Sequence, residues 1–191
     1  DIKNAKRDPT LLLICFVPFM MLAVVRFGLP ILTNYLPIVE AYNQVIIAFF
    51  VLLNAVFPGF ILSFILLDEK DLKLLPVLKV TPVSLSGILI SRILFMLVFG
   101  FLGSMLLLLF NGIVFCSFPK AIAIAVLCAL NVPLLVLFIS TIAKNKVEGM
   151  TLLKVVNVTL FIPAAVFFLN TAWEHLFAIF PAYWVFQFVD S

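Results

Sequence analysis

Five apolar runs, each of about 20 residues, set the narrowest limit on how this chain can fold. They occupy roughly residues 10–30, 44–67, 86–110, 120–143 and 153–169. Coiled as α-helices at about 1.5 Å per residue, such runs match a hydrocarbon layer about 30 Å thick. Lipid offers no hydrogen-bond partner, and a helix satisfies its backbone within one segment. Composition closes the soluble alternative. The chain is 65% hydrophobic and 11% charged, with a mean hydropathy of +1.32. Soluble domains are about half apolar and about a quarter charged. The expected fold is all-α, a polytopic membrane helical bundle forming one domain over residues 1–191. Five spans are odd in number, and the last residues include Trp173, Tyr183 and Trp184, which favour the bilayer interface. A sixth span is therefore expected beyond residue 191, with 170–191 an extracellular or interfacial segment. The first residue is Asp, so a trimmed N-terminus is expected too.

Net charge is +3, but placement matters more than sum. Of twelve Lys and Arg residues, ten fall on one side of the predicted spans: Lys3, Lys6, Arg7, Lys70, Lys73, Lys79, Arg92, Lys144, Lys146 and Lys154. Only Arg26 and Lys120 fall on the other. Cytoplasmic loops carry the Lys/Arg excess. The N-terminus and both charged loops, 68–85 and 144–154, are thus expected in the cytoplasm. Residues 1–9 form a short basic interfacial segment, in which Asp8-Pro9 suits an N-cap and first helical residue.

Few groups are available for enzyme chemistry. The single His, His175, lies outside the predicted spans, and no Ser-His or Cys-His pair can be built within them. Cys15, Cys116 and Cys128 are far apart and show no metal or redox spacing. No Walker A motif occurs, so no cofactor is expected on this chain and ATP would have to be hydrolysed elsewhere. No acid falls at mid-span, where ion-coupled transporters place one. The polar residues within spans are Asn54, Asn131 and Asn157, which are costly to expose to lipid. They serve either helix packing or a substrate path. Small residues at i, i+4 (Ala121/Ala125/Ala129, Gly87/Ser91, Gly100/Ser104) permit close helix contact.

The most informative stretch is 68–92, DEKDLKLLPVLKVTPVSLSGILISR. It is too charged for hydrocarbon and too leucine-rich for a solvated loop. Pro76 breaks or starts a short helix, Thr81-Pro82 marks a turn, and Ser84 or Ser86 can cap the third span. The stretch offers apolar side chains to a partner protein or to the lipid surface.

Its residues resemble those of a known family, the membrane permease subunits of ATP-binding-cassette transporters of the type-2 exporter class. In matching order stand Asp68-Glu69-Lys70-Asp71, Leu75-Pro76-Val77-Leu78 and Val80-Thr81-Pro82-Val83-Ser84. Asp1-x-Lys3-Asn4…Arg7-Asp8-Pro9 is similar to the family's elbow before its first span, and Phe180-Pro181-Ala182-Tyr183-Trp184 to the outer segment before its last. Many members carry Gly-Thr where this chain has Lys73-Leu74. A drug or fluoroquinolone-type export permease is one candidate within the class.

The resemblance implies a multi-pass permease in the plasma membrane of a bacterial or archaeal cell. It would pair with a second permease subunit and with a separate ABC ATPase that holds ATP and Mg. Glu69, Asp71, Leu72, Leu75, Pro76, Leu78, Lys79, Thr81 and Pro82 would form the ATPase contact through a coupling helix. The second loop, 144–154, would be a lesser contact. Asn54, Asn131 and Asn157 would line the path, and nucleic acid would play no part. The alternatives are a structural or assembly membrane protein and a non-catalytic subunit of a lipid-handling enzyme.

Overall fold

The computed structural model describes residues 9–73 and 84–161 and positions 183 and 185, with side chains for 14–73, 84–158, 183 and 185. Among these residues all regular secondary structure is helical. Helix α1 (Pro9–Ala23) passes through a π-helical turn (Val24–Gly28) into α2 (Leu29–Tyr35), and a 3-10 segment (Pro37–Tyr42) leads into α3 (Asn43–Asp71). Then follow α4 (Leu85–Phe110), α5 (Phe118–Ala129), α6 (Asn131–Ile142) and α7 (Lys146–Phe161). Four stretches are long and apolar enough to cross a membrane: Ile14–Tyr35, Pro37–Asp71, Leu85–Phe110 and Phe118–Ile142. The chain is thus an all-α polytopic bundle. The outer part of the expected fifth span, the elbow before residue 9 and most of the 170–191 tail lie outside the described residues.

Several boundaries differ from expectation, each for a local reason. The first span continues to Tyr35 rather than ending near residue 30. Pro30 falls in the first turn of α2, where a missing N–H costs nothing. The second span runs on through Asp68–Asp71, so the acidic stretch is the last turn of α3 and not loop. The fourth is two helices, α5 and α6, meeting at Leu130. The expected second loop, 144–154, shrinks to residues 143–145 because α7 starts at Lys146. Asn145 Oδ1 accepts from the Glu148 N–H at 2.9 Å, and Glu148 Oε2 accepts from the Lys144 N–H at 2.8 Å. That is a capping box shifted by one residue at its return bond, and it satisfies donors the helix start leaves free. Ser84, one of the two expected caps, accepts from the Gly87 N–H at 3.3 Å.

Helix α3 is the hub. It packs along α4 and α6 most extensively, and also meets α1, α5 and α7. Val51, Leu52, Ala55 and Val56 of α3 are buried with Leu107 and Leu108 of α4 and Ala121 and Ala125 of α5. Elsewhere Phe16, Phe19, Phe27, Phe95, Leu102 and Phe138 stand exposed. Water would penalise so large an apolar surface, whereas lipid does not.

The α3–α4 contact is close because α4 has no side chain there. A Cβ on Gly100 would lie 2.9 Å from the Ala55 carbonyl oxygen, and one on Gly103 would lie 3.0 Å from Asn54 Oδ1. Asn54 Nδ2 donates to the Gly103 carbonyl at 3.0 Å. The Ser104 hydroxyl donates to Gly100 O at 2.9 Å, with Val51 O across the interface at 3.4 Å.

Two stability predictions follow from the backbone. Gly100→Ala places its methyl group against backbone that cannot rotate away, and should lower the Tm in detergent by the equivalent of about 1–3 kcal/mol. Lys73 adopts φ 53° just past the end of α3, a position that favours glycine. Lys73→Gly should raise the Tm by the equivalent of about 0.5–1 kcal/mol. An unchanged or lowered Tm would mean that the lysine side chain offsets the backbone cost.

Candidate functional site

At about 1.5 Å per residue, α3 is about 43 Å long, more than the hydrocarbon layer needs. Its final turn carries Asp68, Glu69, Lys70 and Asp71, the end that the Lys/Arg bias leads one to expect on the cytoplasmic side. Each acid of that turn is held by another element. Arg92 Nη1 of α4 donates to both Glu69 oxygens, at 2.7 and 2.9 Å. Lys146 Nζ of α7 meets Asp68 Oδ2 at 2.8 Å. The Lys146 backbone N–H donates to Asp71 Oδ2 at 3.0 Å, so a carboxylate caps the positive start of α7. Lys70 Nζ donates to the Ala143 carbonyl at 2.9 Å, which sets a cation at the negative end of α6.

These contacts differ in weight. Lys146 and Asp68 are both about half exposed, so water and salt screen the pair. The Glu69 side chain is only 17% exposed and its Arg92 partner 35%. Arg92 lies seven residues into α4, about 10 Å along its axis. A partly buried guanidinium is costly unless paired.

Of the residues expected to meet a partner, Glu69 and Asp71 thus sit at the base of the 72–84 stretch, each bonded within the chain. Leu72 follows, 69% exposed. Leu75, Pro76, Leu78, Lys79, Thr81 and Pro82 lie outside the described residues. Arg92 and Lys146 entered the sequence reading only as basic residues to be counted. Asn145-x-x-Glu148 was a visible helix-start signature, and it would have brought Lys146 to the first residue of α7.

The three asparagines are not gathered. Asn54 is 1% exposed between α3 and α4, and its Oδ1 has no hydrogen-bond partner among the described residues. Asn131 Nδ2 donates to Leu127 O at 3.0 Å and to Cys128 O at 3.2 Å, binding α6 to the end of α5. Asn157 lies half-buried on α7.

The opposite end carries little charge. Arg26, in the π-helical turn, donates from Nη1 to the Phe110 carbonyl at 2.8 Å, so it tethers the first span to the end of α4. Asn111 accepts through Oδ1 from the N–H groups of Ile113 and Val114, both at 2.8 Å. This folds the connector back over a shallow cleft lined by Ile47, Leu108, Cys116, Lys120 and Ile124. Burial pushes the Cys116 thiol up, and the Lys120 ammonium pulls it part of the way back.

Several apolar helices, a lipid-facing aromatic surface and two ends of unequal charge define a multi-pass membrane protein with no enzyme-like cluster at its described core. Its class is that of membrane transport permeases. The chain belongs to the family described as fluoroquinolones export permease protein Rv2686c-like, whose model matches residues 1–190. Two curated relatives are the fluoroquinolones export permease proteins MT2760 and Rv2686c, from the CDC 1551 / Oshkosh and ATCC 25618 / H37Rv strains of Mycobacterium tuberculosis. Each is 25% identical over 192 residues, which covers 96% of this chain and 76% of the relative. No solved structure matches. The chain is accordingly a membrane transport subunit, a multi-pass protein of the cell membrane.

The orientation can be checked at Cys116. An impermeant maleimide applied outside intact cells should label Cys116 in preference to Cys15 and Cys128. Only the thiolate reacts, so labelling should be slow at neutral pH and quicken as pH rises above the ordinary thiol range. Labelling only after the cells are opened would reverse the topology.

Proposed function

We propose that this chain is the membrane-spanning subunit of an ATP-driven exporter, coupled to a separate ABC ATPase through residues 68–84. The observation that carries the proposal is the match to an export-permease family along nearly the whole chain. Three further facts support it. The 191 residues contain no Walker A motif, so a partner has to supply ATP hydrolysis and its Mg. The cytoplasmic end holds a leucine-rich stretch whose first leucine, Leu72, stands in the open. That stretch leaves from a turn braced to three other helices, so force applied there would reach the bundle.

In this reading two permease subunits pair around a path, each carrying one ATPase. ATP binding draws the ATPases together, and the membrane halves rock to release substrate outward. The substrate class is an amphiphilic drug of the fluoroquinolone kind, following the names of the relatives. Along the path Asn54 offers the one amide oxygen within the α3–α4 contact that lacks a partner among the described residues. Asn131 and Asn157 are its further candidate polar groups.

Leu75→Asp tests the docking part. Leu75 lies beyond the brace, so Glu69, Asp71 and their bonds stay intact. The wild-type chain should co-purify with an ATP-hydrolysing subunit and drive ATP-dependent fluoroquinolone uptake into inverted vesicles. Leu75→Asp should lower recovery of the ATPase at least about tenfold, the effect expected when an interface anchor becomes a charge. Equal recovery with both chains would remove residues 68–84 as the contact.

A further inference from the structure

Glu69 and Arg92 bracket the coupling stretch. Glu69 lies in the last turn of α3, before the stretch leaves the helix, and Arg92 lies two turns into α4, after it returns. Theirs is the less exposed of the two ion pairs at this end, with both carboxylate oxygens bound to one guanidinium nitrogen. The pair therefore ties the last turn of α3 to the second turn of α4, on either side of the stretch. Arg92 is about two-thirds buried, and the Glu69 carboxylate compensates its charge there. The other ties at this end run from α3 to residues 143–146 and do not reach α4.

We infer that the Glu69–Arg92 pair is a positioning clamp that transmits motion of the docked ATPase into the α3–α4 pair, and that breaking it uncouples ATP hydrolysis from transport without releasing the ATPase. The inference rests on the proposed function above. Arg92 does not touch substrate or nucleotide in this scheme. It acts through Glu69 on the segment between them. With the clamp intact, displacement of the stretch moves both helices as one body. Without it, the end of α3 and the start of α4 can move apart, and less of the displacement reaches the bundle.

The experiment compares wild type, Arg92→Gln, Arg92→Glu and the exchange Glu69→Arg with Arg92→Glu, each purified with its ATPase and reconstituted into vesicles. Three quantities are read: ATPase recovered per permease, ATP hydrolysed, and fluoroquinolone moved, the last by the drug's own fluorescence. In the Arg92 variants the ATPase should remain bound and ATP hydrolysis should persist. Drug moved per ATP hydrolysed should fall at least about fivefold, the lower range of coupling between distant sites. The exchange should restore most of that ratio, because a reversed pair keeps the geometry. Full coupling in Arg92→Gln overturns the clamp. So does loss of the ATPase together with transport, which would make Arg92 part of the dock or of the fold. A monodisperse exchange variant that fails to restore coupling overturns it as well. If wild type moves drug with no ATPase attached and no need for ATP, the proposed function fails first, and the clamp fails with it.

Discussion

The approach of α3 to α4 at Gly100 and Gly103 is the contact on which the rest of the bundle depends. Between helices in lipid there is no hydrophobic drive to association, because the alternative neighbour is as apolar as leucine. What remains is van der Waals contact and the few hydrogen bonds that cross the interface. Both need backbones that come close. Two glycines remove the side chains that would hold the helices apart, and the space is filled by the Ala55 carbonyl and the Asn54 amide. Once that distance is set, Leu107 and Leu108 reach Val51 and Ala55, and α6 lays Val132 against Gly59 and Gly100.

The same two helices are tied a second time at the cytoplasmic end. From Asn54 to Glu69 is fifteen residues of α3, and from Gly103 back to Arg92 is eleven residues of α4. At about 1.5 Å per residue, the Asn54–Gly103 tie and the ion pair stand roughly 16–23 Å apart. Two ties at that separation resist both sliding and splaying, which one tie alone cannot do. The strengths are matched to the surroundings. The amide bond is dry and uncharged, where a charge would be costly. The ion pair sits at the boundary, where partial burial strengthens it and water remains close enough to solvate what the pair leaves uncovered.

Much of this was legible in the sequence, and the failures share a cause. Apolar runs, charge bias and the Ser84 cap were readable because lipid imposes simple rules on length, sign and backbone satisfaction. The small residues Gly100 and Ser104 were readable as contact points, but their partner helix was not, since spacing says nothing about what lies opposite. Polar character misled where it was equated with loop. Asp68, Glu69 and Asp71 pair with residues of α4 and α7 that are distant in sequence, while the start of α7 is capped locally by Asn145 and Glu148. Glu69 and Asp71 were expected to face another protein. Their bonds to Arg92 and Lys146 depend on a tertiary arrangement that a single sequence does not display.

That arrangement changes what a partner at this surface can recognise. If Asp68, Glu69 and Asp71 were free, an ATPase could dock by charge and the contact would weaken steeply with salt. All three are bonded inside the chain, and a partner would have to break those bonds to use them, exchanging one ion pair for another with little gain. The unspent chemistry of the stretch is apolar: Leu72 in the open, followed in sequence by Leu74, Leu75, Val77 and Leu78. Under the proposed function, recognition would rest on burial of these side chains by the ATPase, with a few anchors carrying most of the affinity. The acids hold the platform from which those side chains are presented. If the two proposals hold, affinity and coupling fall to different residues, so the strength of docking could change through the leucines while transmission through Glu69 and Arg92 stayed as it is.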